Sequence, residues 1–109
     1  MHSKLGPGLL ESVYQTCTAH YLRKANQRVE TELTLPVVYL ETKLDPGYRV
    51  DMLVNACVIV EIKAVEKIIP IHLSQLLSYL RLSNLRVGLL INVNVQRLVT
   101  GIRRVVNKY

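Results

Sequence analysis

Apolar positions along the chain recur first at helical spacing, then in alternation, then at helical spacing again. After the breaker Gly6-Pro7-Gly8, the residues Leu10, Val13, Tyr14, Cys17 and Tyr21 predict a helix to about Ala25. From Arg28 to Leu35, Val29, Thr31, Leu33 and Leu35 alternate with Glu30, Glu32 and Thr34, the period of a half-buried strand, which Pro36 is expected to interrupt. A short strand Val37–Glu41, a turn at Asp45-Pro46-Gly47 and a return to Val54 predict a hairpin. Asn55-Ala56 then links to a further antiparallel strand, Cys57–Val65. Helical spacing returns at Leu73, Leu76, Leu77 and Leu80, within a helix from Pro70 to about Leu82 whose first turn suits a proline. Arg86–Asn92 reads as a buried strand reached by a helical crossover, and Val95–Tyr109 fits a short helix or a strand equally. The order helix, strands, helix, strand predicts an α/β fold with a mixed β-sheet of about four to five strands flanked by helices.

Three charges break this pattern. Asp51, Glu61 and Lys63 sit inside two apolar runs, Tyr48–Val54 and Cys57–Val65, that would otherwise be core strands. An ionised group taken out of water costs several kcal/mol, of order, unless it is paired or holds a metal. Side chains alternate along a strand, so Glu61 and Lys63 share one face, and the predicted pairing brings Asp51 beside Glu61. Two carboxylates at that range repel unless a cation lies between them, and Mg²⁺ or Mn²⁺ suits an oxygen donor set with no His or Cys cluster. A cross-strand salt bridge from Lys63 to the two acids is the competing explanation.

Composition narrows the setting. One domain, residues 1–109, is expected from the length, and its core must rest on Leu, Val, Ile and six Tyr because Phe and Trp are absent. No apolar stretch approaches the ~20 residues of a membrane span, and no signal peptide opens the chain, so a cytoplasmic protein without a membrane partner is expected. Cys17 and Cys57 lack metal-site spacing and read as reduced core residues. Fourteen Lys and Arg against eight Asp and Glu, with Arg97, Arg103, Arg104 and Lys108 near the C-terminus, favour a polyanionic partner. Basic residues closing the first helix are explained as well by its dipole.

Asp51, followed after nine residues by Glu61-Ile62-Lys63, resembles the core motif of the PD-(D/E)XK nuclease superfamily, with Val50 in place of the motif's proline. Gly8-Leu9-Leu10-Glu11-Ser12-Val13-Tyr14 resembles the GxxExxY signature of a small bacterial and archaeal family assigned to that superfamily. Gly6–Glu11, Gly47-Tyr48-Arg49, Glu61–Glu66 and Asn92–Val95 look like the same family, so the resemblance covers Leu5 to Asn107. It implies a restriction-endonuclease-like core. It also implies Asp51, Glu61 and the Ile62 backbone carbonyl as metal ligands, Lys63 as the catalytic lysine and Glu11 as the acid of the first helix. Gln75 and Tyr79 resemble the QxxxY element of the RecB-like branch; four residues apart, they share a helix face. Gln75 would position substrate or Lys63, and Tyr79, Arg49 and Arg97 would contact the substrate strand. His72, one turn earlier, reads as an ordinary helix residue, and Glu11 read without the motif is an acid at a helix start. Family members begin with further helical sequence ahead of the Gly-Pro-Gly segment, where this chain has five residues, so a truncated N-terminal element is expected. An aromatic is common in the family where Val93 stands between Asn92 and Asn94.

The leading expectation is a metal-dependent nuclease that hydrolyses phosphodiester bonds, on DNA rather than RNA. A nucleic-acid-binding module that keeps the fold without turnover is the alternative, and a basic scaffold with an internal ion pair is a third. A chain this small makes a shallow groove, which a homodimer would widen.

Overall fold

The computed structural model describes residues 7–39, 42–94 and 101–108, with side chains described for 11–35, 48–94 and 101–108. Its elements are α1 (Pro7–Lys24), β1 (Val29–Tyr39), β2 (Thr42–Val54), β3 (Val58–Lys63), α2 (Pro70–Ser83), β4 (Val87–Asn92) and β5 (Ile102–Val106). The strands form one five-stranded sheet in the order β1-β2-β3-β4-β5. β1, β2 and β3 are an antiparallel meander, β4 joins β3 in parallel through the α2 crossover, and β5 returns antiparallel on β4. The mixed sheet is therefore the predicted one, and the ambiguous C-terminal stretch contributes a strand over Ile102–Val106.

A helix covers each face of the sheet. On one face Tyr14, Ala19 and Leu22 of α1 pack with Val29, Met52, Val60, Ile62 and Val93. Leu76 and Leu80 of α2 pack on the other, with Val50, Leu53, Ile59, Leu90 and Val105. The helical stripe predicted for α2 is thus the one used. For α1 it is displaced: Cys17 and Tyr21 are exposed, because Ala19 and Leu22 turn inward. Cys57 is exposed too, in the turn after β2, so neither cysteine is a core residue.

Two turn expectations fail for one reason. Pro36 does not end β1, and Asp45-Pro46-Gly47 does not reverse the chain. Tyr39 pairs with Thr42, so the reversal falls between them. Leu35 pairs with Tyr48 and Val37 with Leu44, which sets Pro36 against the three residues Asp45, Pro46 and Gly47 in an irregularity of the ladder. Proline lacks an N–H to give the ladder, so prolines collect where pairing is already broken. The β2–β3 connection is the tight turn instead. Asn55 and Ala56 have φ of 53° and 54°, and Cys57 N–H donates to Val54 O at 3.0 Å, the signature of a type I′ turn. Asn55 also accepts the Arg28 N–H on Oδ1 at 2.9 Å, which ties the turn to the start of β1.

The sheet changes facing at the residue that matters most. Val50 packs on the α2 side and Met52 on the α1 side, so strict alternation breaks at Asp51. Between the pairs Thr31–Met52 and Leu33–Val50 lies Glu32, whose φ of 50° is left-handed. A local twist there separates Asp51 from the regular ladder and frees its carboxylate from simple strand geometry.

Candidate active site

The ladder between β2 and β3 ends at Met52–Val60. One step further along the same register, Asp51 meets Glu61 through side chains instead of ladder bonds. The Asp51 N–H donates to Glu61 Oε1 at 3.2 Å, and the Ile62 N–H donates to Asp51 Oδ2 at 2.8 Å. Strand alternation turns the N–H of Ala64 to the same side as that of Ile62. It is taken by Glu11 Oε1 at 2.8 Å, reaching over from α1. Three acids from α1, β2 and β3 therefore line the flank of β3 that β2 leaves open.

Glu61 is buried, at 8 % exposure. Burial, then the negative charge of Asp51, push its carboxyl up to about 8, and Lys63 opposes the rise. Among the described residues no ammonium lies within 4 Å of Asp51 or Glu61: the ion pairs found are Arg28–Glu30 and Arg49–Glu32, both at the β1 edge. Lys63 is half-buried on the Glu61 face, near enough to be felt and not bonded to it. The salt-bridge explanation of the three charges therefore fails.

α2 closes the site from above. The Tyr79 hydroxyl is pushed above its ordinary value by burial and then by the charge of Glu61, with Gln75 bonded to it and Asp51 contributing. Tyr79 thus faces the carboxylates, and Gln75, exposed one turn earlier on α2, bonds to it. Tyr48 stacks on Tyr79 with ring centroids 4.5 Å apart and 10° between planes, and its hydroxyl donates to Tyr79 O at 2.9 Å. That stack anchors α2 over β2. His72 has an ordinary task, since its Nδ1 accepts the Ile69 N–H at 3.2 Å at the helix start. Glu11 does not lie in the first turn of α1, which begins at Pro7, so the helix dipole does not account for it. Arg49 is exposed and paired with Glu32, away from the carboxylates' hydrogen bonds. Arg97 lies outside the described residues.

One contributor was not among the sequence candidates. Asn92, 2 % exposed at the end of β4, donates from Nδ2 to Val65 O at 2.8 Å and accepts the Val65 N–H on Oδ1 at 3.1 Å. The same Oδ1 accepts the Asn94 N–H at 3.1 Å, and Val93 N–H donates to Lys63 O at 2.8 Å. Asn92 and Glu11 therefore grip the two residues that follow Lys63 from opposite sides. The sequence marked it as the first residue of the family-like phrase Asn92–Val95 and as a polar residue ending an apolar strand, with no role assigned.

The family model of the PD-(D/E)XK nuclease superfamily matches residues 1–105. The chain belongs to this superfamily. Comparison with curated proteins and with solved structures gives no match. The sheet and its two flanking helices are the restriction-endonuclease-like architecture, and membership in a superfamily of nucleases makes nucleic acid the substrate class. No helix among the described residues is long and apolar enough to cross a membrane.

The donor chemistry of this PD-(D/E)XK site can be weighed against a divalent cation. No group of three or more His, Cys, Asp or Glu side chains able to hold a metal occurs among the described residues. Mg²⁺, however, keeps several waters and is commonly held by one or two carboxylates. Asp51 and Glu61 supply that number of hard oxygen donors, and the Ile62 C=O points to the same side as the N–H bonded to Asp51. The raised Glu61 carboxyl marks the place where positive charge is short. The residues present fit a Mg²⁺ or Mn²⁺ ion.

Proposed function

We propose that the protein is a divalent-metal-dependent phosphodiesterase acting on nucleic acid, with DNA the preferred polymer, and that it belongs to the GxxExxY group of its superfamily. The observation that carries this reading is the pairing of half-buried Asp51 with buried Glu61, which has no cation within 4 Å among the described residues while Lys63 stands on the Glu61 face. Asp51, Glu61 and the Ile62 carbonyl would hold Mg²⁺ or Mn²⁺. Bound there, the ion would polarise a phosphoryl oxygen and lower the pKa of a coordinated water.

The chain's own residues do the rest. Backbone N–H groups of Asp51 and Ile62 fix one oxygen of each carboxylate, so the ligands need not reorganise on binding. The Lys63 ammonium offsets charge that builds on the phosphoryl oxygens, or orients the attacking water. Its backbone is held between Glu11 at Ala64 and Asn92 at Val65. Tyr79 stays protonated near neutral pH because its hydroxyl titrates above the ordinary 10.0. It can therefore donate to a phosphate of the substrate strand, with Gln75 orienting it.

A binding module of the same fold with little turnover is the second reading, favoured by the small number of carboxylates in the site. Two measurements separate them. Titration calorimetry with Mn²⁺ should give binding to wild type and none to Asp51→Asn. Wild type should cleave DNA in Mg²⁺ or Mn²⁺ but not in EDTA, and Lys63→Ala should lose cleavage by at least about 100-fold with an unchanged unfolding midpoint. Metal binding without cleavage of DNA or RNA selects the module. Metal-dependent cleavage that survives in Lys63→Ala removes the role given to Lys63.

A further inference from the structure

The net charge of +6 is concentrated in one half of the chain. All eight Asp and Glu lie at or before Glu66, whereas Lys67 to Tyr109 contains seven Lys and Arg and no acid. The fold turns this division into a spatial one. β4 and β5 form one side of the sheet, and β1 and β2 form the other. At the β1 edge the charges are mixed and pair locally, Glu30 with Arg28 and Glu32 with Arg49. From Ile102 to Lys108 the charged side chains are all basic.

β5 pairs with β4 on one flank, and Arg103 and Arg104 on it are exposed. Arg103 is in register with Leu90, which is buried on the α2 side, so Arg103 projects from the carboxylate-bearing face and Arg104 from the opposite one. The two guanidinium groups therefore straddle the edge. At the foot of the strand, Arg86 and Lys108 line a cavity of about 260 Å³ together with Val106 and Asn107. Buried Asn107 locks that corner, its N–H donating to Arg86 O at 2.7 Å and its Nδ2 to Leu85 O at 3.1 Å. Charge on an edge strand discourages unwanted strand pairing, and either sign serves that purpose. A tract of four cations with no acid after Glu66 goes further.

We propose that the β5 edge binds the sugar-phosphate backbone of nucleic acid through Arg103, Arg104, Arg86 and Lys108, outside the carboxylate site. A second copy of the chain is a poor occupant, because antiparallel pairing of two β5 edges would set like charges together. A phosphate backbone presents negative charge at regular spacing. The register also relates the edge to the site: Glu61 aligns with Leu90, and Leu90 with Arg103. Two strand spacings, about 10 Å, separate Glu61 from Arg103, a distance that one strand of polymer can span. Its purpose, to hold the polymer beyond the scissile bond, rests on the nuclease reading; the binding itself does not.

The test measures binding apart from cleavage, by fluorescence anisotropy of a labelled mixed-sequence DNA oligonucleotide in EDTA across a salt series. Wild type should bind with an affinity that falls steeply with salt. Arg103→Gln/Arg104→Gln should bind roughly tenfold or more weakly at 0.1 M salt, with the log–log slope reduced by about 2. Lys24→Gln/Arg28→Gln, which removes two cations from the far side, should keep the wild-type affinity and slope. Equal loss in both double variants would reduce the effect to overall net charge and overturn the edge as a site, as would wild-type binding in EDTA that is absent or insensitive to salt. Cleavage tells the two readings apart. A protein that binds through this edge but never cuts keeps the surface and loses the nuclease, and one that cuts while the edge variant binds and turns over normally keeps the nuclease and loses the surface.

Discussion

Asn92 does with a side chain what a further backbone pair would have done. Its amide both donates to and accepts from Val65, extending the β3–β4 ladder past the last pair, Lys63–Asn92. Asn92→Ala should cost roughly 1–3 kcal/mol in urea unfolding, because the Val65 groups lose their partner in a buried place. Asn92→Asp keeps the acceptor but sets a carboxylate oxygen against Val65 O, so it should recover none of that loss. Glu61 makes a prediction of opposite kind. Its folded carboxyl titrates at about 8 against an ordinary 4.5, so between those values the folded state holds a proton that the unfolded state has released. Stability of the metal-free protein should therefore be fully present below about pH 4.5 and decline as pH rises to 8, by a few kcal/mol at most. Urea midpoints measured across that range should show the fall, and Glu61→Gln should flatten it. The adjacency of Asp51 and Glu61 was legible in the sequence because two-residue alternation and a short connection leave little freedom. The role of Asn92 was not, since its partner lies 27 positions away across the α2 crossover.

Among the elements, β4 and α2 are pressed together at a glycine. A Cβ at Gly88 would lie 2.9 Å from Leu76 Cδ1, so Gly88→Ala should move a buried leucine of α2 and destabilise by about 1–3 kcal/mol in the same assay. Relief of strain is expected in the β2–β3 turn. Ala56 holds φ 54°, which costs an L-residue with a Cβ about 1 kcal/mol, and Asn-Gly is the preferred pair for a type I′ turn. Ala56→Gly should raise the unfolding midpoint. Helix α2 was readable in advance because its leucine stripe is the core contact itself. The first hairpin was misread because two prolines and a glycine normally mark a chain reversal, and only the pairing of Leu35 with Tyr48 and Val37 with Leu44 reveals that they oppose one another inside a ladder. Helix α1 was found but rotated in the reading, since small Ala19 carries the packing while larger Tyr21 faces water.

At the scale of the molecule, the site is a junction of five elements. α1 supplies Glu11, β2 Asp51, β3 Glu61 and Lys63, and β4 Asn92, under a lid of Gln75 and Tyr79 from α2. A ligand that binds only the folded junction stabilises the whole chain, by about 2.7 kcal/mol at a hundredfold excess over its dissociation constant. Mn²⁺ should accordingly raise the melting temperature of wild type and not of Asp51→Asn. The gain should grow from pH 5 to pH 8, as the metal ceases to compete with the Glu61 proton. Hydrophobic period and the placement of charge within apolar runs were enough, by themselves, to define the mixed α/β sheet, the α2 stripe and the Asp51, Glu61 and Lys63 group. Those are local properties, set by which residues one strand or one helix turn brings to the same face. Tertiary structure decided which face of α1 is buried, where the hairpin turns, that Lys63 stands apart from the two acids, and that Glu11 and Asn92 clamp the strand beyond it. Each of these depends on partners distant in sequence, and a distance in space is information that periodicity does not carry.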